Sequence, residues 1–238
     1  GGTRHSGLFE VRHTRDGWAG ENLTPEQAQA NPTLGQSSVL ERLSDVTVQL
    51  GGPLQRNRSF FWASVQRYAV TLDPAGPISK QTEVSPRFNG KLTWRPSSAH
   101  TAVGTIQGDR YTVTGVPGFP QTFSTDQQTL RQHSPGISGG LQYWRVLGAR
   151  TLLDGRFGGF TGSFDLDPVD RTPVRLDALT GGATGGGGFL AYNDRRRGQL
   201  NIAVSHHRSS AGRHDLKVGL EIERSQLRSR QEFSNHIY

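Results

Sequence analysis

The sequence predicts an all-β chain: a partial transmembrane, antiparallel up-and-down β-barrel, about nine strands of a larger barrel. Three observations carry this expectation. Apolar and polar residues alternate with period two, short and long connections take strict turns, and apolar content is too low for a packed core. Hydrophobic residues are 32% of the 238 residues, against roughly 45–50% in a soluble domain on a similar count. In a barrel wall every second residue faces lipid and the other faces a wet lumen, so half of each strand is free to be polar. Closure of the ring then satisfies the backbone without an edge.

The elements follow in order. Ser6–His13 is the first strand candidate. A capping box, Thr24-Pro25-Glu26-Gln27, starts one or two helical turns before Asn31-Pro32. Val46, Val48 and Leu50 then alternate with Asp45, Thr47 and Gln49. In Ser59–Tyr68, Phe61, Ala63 and Val65 oppose Ser64 and Gln66, with Trp62 on the wrong side of that register. Phe88, Gly90, Leu92 and Trp94 share one face, and Arg87, Asn89, Lys91, Thr93 and Arg95 the other. His100–Gly108 has no strongly apolar face, and Gly139–Leu147 puts aromatics on both through Tyr143-Trp144. Leu153, Gly155 and Phe157 alternate with Asp154 and Arg156; Leu200, Ile202 and Val204 with Gln199, Asn201, Ala203 and Ser205. Leu216, Val218, Leu220 and Ile222 close the series against Lys217, Gly219, Glu221 and Glu223.

Short links join Leu50 to Ser59, Arg95 to His100, Leu147 to Thr151 and Ser205 to His214. Links of about 17 to 36 residues follow His13, Tyr68, Gly108 and Gly162. The short set is expected on the periplasmic side and the long set outside the cell. Arg56-Asn57-Arg58 is the expected wet tip of one short turn, with Phe60-Phe61-Trp62 at the membrane-interface level beside it.

The net charge of +7 permits an anionic partner, but the basic residues are scattered. The one dense run, Arg195-Arg196-Arg197, reads as a solvated loop, so no nucleic acid is expected. With no cysteine there is no disulfide, thiolate nucleophile or zinc–cysteine site. No run approaches the roughly 18 apolar residues of a transmembrane helix. The chain starts at Gly1 rather than Met, as an internal piece of a longer chain would.

Sharper motifs weigh little. Gly136-Ile137-Ser138-Gly139-Gly140 fits G-x-S-x-G, and Asp154 with His206, His207 or His214 follows in triad order. That motif needs a buried strand before it and a helix after it; the preceding residues are polar, so a soluble β-rich serine hydrolase is the distant alternative. Thr184–Gly188 lacks the lysine of a phosphate loop and is expected as a flexible extracellular loop tip. His206 and His207 point to opposite faces of a strand and cannot share a metal. Asp165, Asp167 and Asp170 are expected to be solvated loop carboxylates rather than calcium ligands. No catalytic residue, metal site or cofactor is expected.

Five pieces together resemble a known family: "GGTRHSGLFEVRHT", "GGPLQRNRSFFWASVQRY", "RFNGKLTWRPSSAH", "YWRVLGARTLLDGRFGGF" and "HDLKVGLEIERS". In this order they resemble the N-terminal part of the barrel in TonB-dependent receptors, particularly the Oar-like type that bears a carboxypeptidase-regulatory domain. The resemblance implies a plug–barrel junction at residues 1–5 and a partial barrel over 6–238. It implies a bacterial outer-membrane receptor that binds and imports an unidentified extracellular ligand without covalent chemistry. The implied partners are outer-membrane lipid, the plug and remaining strands of the same chain, and the TonB complex acting through the plug. A passive barrel or surface-adhesion module without energy coupling is the alternative. The alternation itself nominates Asp45, Arg87, Lys91, Asp154 and Arg156 as lumen-facing candidates for ligand contact; their mixed sign selects no ligand charge.

Overall fold

A computed structural model describes residues 3–18, 23–31, 39–74, 79–118, 125–209 and 212–234. Strand β1 spans Ser6–Arg15, β2 Val39–Gln55, β3 Ser59–Asp73, β4 Gln81–Ser97, β5 His100–Pro117, β6 Thr129–Val146 and β7 Thr151–Pro168. After a small hairpin, β8 (Arg175–Leu176) and β9 (Ala183–Thr184), come β10, Phe189–Ser209, and β11, Arg213–Phe233. The nine long strands pair in chain order, β1-β2-β3-β4-β5-β6-β7-β10-β11, and every pair is antiparallel. This is the expected up-and-down sheet, open between β1 and β11 among the described residues. Helix α1, Pro25–Ala30, starts on the expected capping box: Gln27 N–H donates to Thr24 Oγ1, and Thr24 N–H to Gln27 Oε1. Residues 1 and 2 of the expected junction lie outside the described residues.

Two expectations are corrected. The strands outrun their apolar stretches, so the connection between β3 and β4 shrinks to residues 74–80 and that between β5 and β6 to 118–128. The reason is that pairing continues through mixed pairs such as Val70–Glu83 and Thr71–Thr82, where the alternation of apolar and polar residues fades. Thr71 and Thr82 face each other with hydroxyls 3.3 Å apart, well above the apolar stretch of either strand. Strand β5 absorbs a register shift between Val113 and Val116 through Gly115, whose φ of 76° puts it in the left-handed region.

Directly opposed residues in an antiparallel pair share a face, so the registers carry one face across the whole sheet. One row runs Gly52–Phe61–Leu92–Gly104–Leu141–Phe157–Leu200–Ile222. The next row runs Gly51–Trp62–Lys91–Thr105–Gly140–Gly158–Gln199–Glu223. The apolar alternates of all nine strands fall on one face. The weak strand β5 is resolved by its neighbours: its outward Gly104, Ile106 and Gly108 lie between Phe88, Gly90 and Leu92 on β4 and Ile137, Gly139 and Leu141 on β6. A Cβ on Gly108 would sit 2.7 Å from the Phe88 ring, which covers that site.

Among the described residues the sheet has no core between layers. The apolar face is solvent-exposed, with Phe9 at 71%, Phe157 at 59% and Leu220 at 60%. Among the described residues the buried hydrophobics are Val70, Val113, Leu130, Leu190 and Ala191, all at the end with the long connections. A water-soluble fold of this size buries many more.

Candidate functional site

The polar face is the candidate. Asp45, Arg87, Lys91, Asp154 and Arg156 all lie on it, in three separate places. Asp45 on β2 accepts from Gln66 Nε2 at 2.9 Å and from Thr47 Oγ1 at 3.4 Å. Gln66 stands opposite Arg87, whose Nε donates to Ser85 Oγ at 3.0 Å. The Arg87 guanidinium lies 5.3 Å above the Tyr68 ring and 3.8 Å from Glu83. Lys91 faces Trp62 on one side and Thr105 on the other, with no ion pair among the described residues. Asp154 and Arg156, two apart on β7 and so on one face, are paired at 2.9 Å.

Arg156 opens onto a recess of about 540 Å³ in this face, floored by Gly140 and Gly158 and walled by Gln142, Gln199, Asn201, Arg197 and Phe160. Arg197 is paired with Glu223 at 2.7 Å, and Gln199 donates to Glu221 at 2.7 Å. A second recess of about 310 Å³ includes Arg87, Asn89, Gln107, Asp109 and Ser138, with Phe160 standing between the two. Both are rich in donors and acceptors; the first is lined by Arg156 and Arg197, each paired to a carboxylate outside the lining, and the second by Arg87 and Asp109. Such a surface binds by hydrogen bonds and paired guanidinium groups. Arg197, Gln199 and Glu223 belong with Arg156, and only their alternation along β10 and β11 hinted at it.

Arg195-Arg196-Arg197 is corrected from loop to strand. It lies inside β10, with Arg195 and Arg197 on the polar face and Arg196 on the apolar one; three arginines look like loop only until alternation splits them. The glycine run is corrected too. Gly186, Gly187 and Gly188 are buried, and Gly186 and Gly187 donate to Thr172 O and Asp170 O. A Cβ on Gly187 would lie 2.7 Å from Leu130 Cδ2, so the missing side chains allow tight packing rather than freedom.

Ser138 sits mid-strand in β6 between Gln107 and Phe160. The strand runs straight through Gly136–Gly140 with no turn into a helix. Asp154 faces Trp144 and Ala203, and His206 and His214 are on the other face. His207 lies on the polar face, 2.5 Å from Asp215, while His206 on the opposite face meets Thr151 Oγ1 at 2.8 Å. Asp165 accepts from Ser163, Asp167 pairs with Arg171 at 2.8 Å, and Asp170 accepts the Thr172 N–H. At the long-connection end Lys80 bridges Glu41 at 2.7 Å and Asp73 at 3.2 Å. Hydrogen bonds to Glu41 and then Asp73 hold its ammonium above the usual lysine range.

The apolar face has sharp limits. On β5 its polar boundaries are His100 and Arg110, on β10 His206 and Arg196, and on β11 His214 and Arg224. Each pair is ten residues apart. Trp94 and Tyr143 lie on the histidine side, where Tyr143 OH is 2.6 Å from His100 Nδ1. The histidine limit drifts against the register: His100 connects through Arg145 and Leu153 to Val204, two residues short of His206. His206 faces Leu216, two short of His214. Four residues over four strand steps is about one residue per strand. At ~3.3 Å per residue and ~4.8 Å between strands, that is a tilt of roughly 35°. Ten residues at that tilt span about 27 Å.

No protein-family model matches the chain, and neither does any curated protein. Among solved structures the chain is similar to the crystal structure of the outer membrane transporter YddB from Escherichia coli, with a TM-score of 0.51 and 14% identity. The alignment covers 97% of this chain and 37% of that one. The nine-stranded sheet is therefore an all-β fold similar to part of an outer-membrane transporter barrel.

Proposed function

We propose that this chain is part of the wall of an outer-membrane transport barrel, of the TonB-dependent receptor type, with a role in import rather than catalysis. The observation that carries the reading is the two-faced register. An apolar band unbroken over nine strands, about 27 Å deep at a tilt of roughly 35°, fits the ~25 Å band and 35–45° tilt of outer-membrane barrels. The opposite face then lines a lumen that substrate crosses, and the two recesses lie along that path. In this reading residues 1–5 join a plug to the barrel, residues 6–238 are its first strands, and further strands of the same chain close the ring. The plug receives energy from the TonB complex, and an extracellular ligand passes along the polar face. A passive barrel would use the same wall without the plug.

Residues 1–238 hold no cysteine, and any cysteine elsewhere in the full-length protein is first replaced by serine. In the full-length protein in intact outer membranes, Asn201→Cys should react with a water-soluble maleimide and Leu200→Cys should not. The protein should also shift mobility on heating, as closed barrels do. Equal labelling at both sites would overturn the membrane reading. A full reading frame without a plug and TonB-contacting segment would reduce the proposal to a passive barrel.

A further inference from the structure

We propose that the apolar face, where it meets the long connections, binds phosphate groups of lipid headgroups in the outer leaflet through Arg67, Arg110, Arg196 and Arg224. The inference rests on the membrane reading above and goes beyond it, because an apolar band alone requires no particular headgroup.

On β3, β5, β10 and β11 the first charged residue beyond the band on this face is an arginine: Arg67, Arg110, Arg196 and Arg224. None of the four makes an ion pair among the described residues. The polar face behaves differently, since Arg87, Arg156 and Arg197 all have carboxylates beside them. On the outward face acids come later. Asp194 stands two residues beyond Arg196, and directly opposite Arg228. The boundary thus carries four arginines without an ion-pair partner among the described residues, at the depth where headgroups lie. A guanidinium at the edge of hydrocarbon needs an anion or water, and its planar fork matches phosphate oxygens in pairs.

The surface between them is also shaped. A recess of about 310 Å³ is lined by Pro135, Ile137, Thr161, Ser163, Asp194 and Arg196. Pro135 is the direct partner of Arg110, and Thr161 of Arg196. An apolar floor with hydroxyls and the Arg196 guanidinium at its rim, and the Asp194 carboxylate one alternate further out, suits the junction between an acyl chain and a phosphorylated headgroup.

The test uses the full-length protein in phosphatidylcholine nanodiscs doped with bisphosphorylated lipid A or with its enzymatically dephosphorylated form. Bound lipid is counted by native mass spectrometry. The wild type should retain the phosphorylated lipid roughly tenfold better than the dephosphorylated one. The R67Q/R110Q/R196Q/R224Q variant should lose that preference. Equal retention of both lipids by the wild type overturns the proposal, as does an unchanged preference in the variant. Full displacement by millimolar inorganic phosphate also overturns it, because the site would then be one for free phosphate. If the variant fails to insert, the wild-type comparison of the two lipids decides alone. Heat modifiability of the wild type separates the failures: without it the membrane reading falls, and with it but no lipid preference only this inference does.

Discussion

At the scale of single residues, backbone geometry and close approach decide what the chain tolerates. Asn57, at the tip of the β2–β3 turn, has a φ of 61°, a conformation that asparagine and glycine accept and β-branched residues resist. Asn57→Val should therefore cost about 1–2 kcal/mol, seen as a lower urea midpoint of the heat-modifiable form, while Asn57→Gly should be near neutral. Glycines on the outward face divide in the same way. A Cβ on Gly108 meets the Phe88 ring at 2.7 Å and Gly136 O at 2.9 Å, whereas Gly104 has open space around it. Gly108→Val should lower stability by roughly 1–3 kcal/mol, and Gly104→Ala should leave it unchanged or slightly raised. Equal effects at the two sites would contradict the cover that Phe88 gives Gly108. In the sequence both were simply alternate glycines in a weak strand, because the ring that separates them comes from another strand.

At the scale of elements, the β8–β9 hairpin is held by polar contacts that composition does not announce. Gln128, 2% exposed, accepts the Thr125 N–H at 3.1 Å and donates to Ala183 O at 2.9 Å. Gln128→Ala removes both bonds, from the exposed Thr125 N–H and to the half-buried Ala183 O, at about 0.5–1.5 kcal/mol each. Trypsin should then cut after the exposed Arg175 severalfold faster in intact cells, with barrel assembly unaffected. The hairpin turn is also sensitive to acid. Asp177 accepts from the N–H groups of Leu179 at 2.9 Å and Thr180 at 3.3 Å. These bonds, first to Leu179 and then to Thr180, hold its carboxyl below the usual range. A depressed folded-state value means the contribution is complete above the ordinary aspartate pKa and lost as pH falls through the lower one. Amide exchange at Leu179 and Thr180, corrected for intrinsic rates, should be flat from neutral pH to about pH 5 and accelerate only well below pH 4. Acceleration already at pH 6 would contradict the assignment.

At the scale of the whole molecule, the governing fact is that no second layer among the described residues covers the sheet. Strands β1 and β11 each leave one edge unpaired among the described residues, and such edges demand further strands or invite aggregation. Expressed alone, residues 1–238 should aggregate and show no heat-modifiable band. The full reading frame should show one, and a folded monomer from the piece alone would argue against a shared barrel.

Much of this was determined by the sequence itself. Residues such as Phe88, Leu92 and Trp94 against Arg87, Lys91 and Arg95 declare two faces, and period two admits no other regular structure. The Thr24 cap and the Arg56–Arg58 turn are equally local, so local pattern sufficed for them. The tertiary structure alone decided where strands end, because Thr71–Thr82 pairing looks like loop until the partner is known. It alone brought Arg156 beside the Arg197–Glu223 pair and left Arg67, Arg110, Arg196 and Arg224 without an ion-pair partner among the described residues. Neighbour relations of that kind arise from cross-strand register, which joins residues far apart in the chain and leaves no periodic trace in any one of its segments.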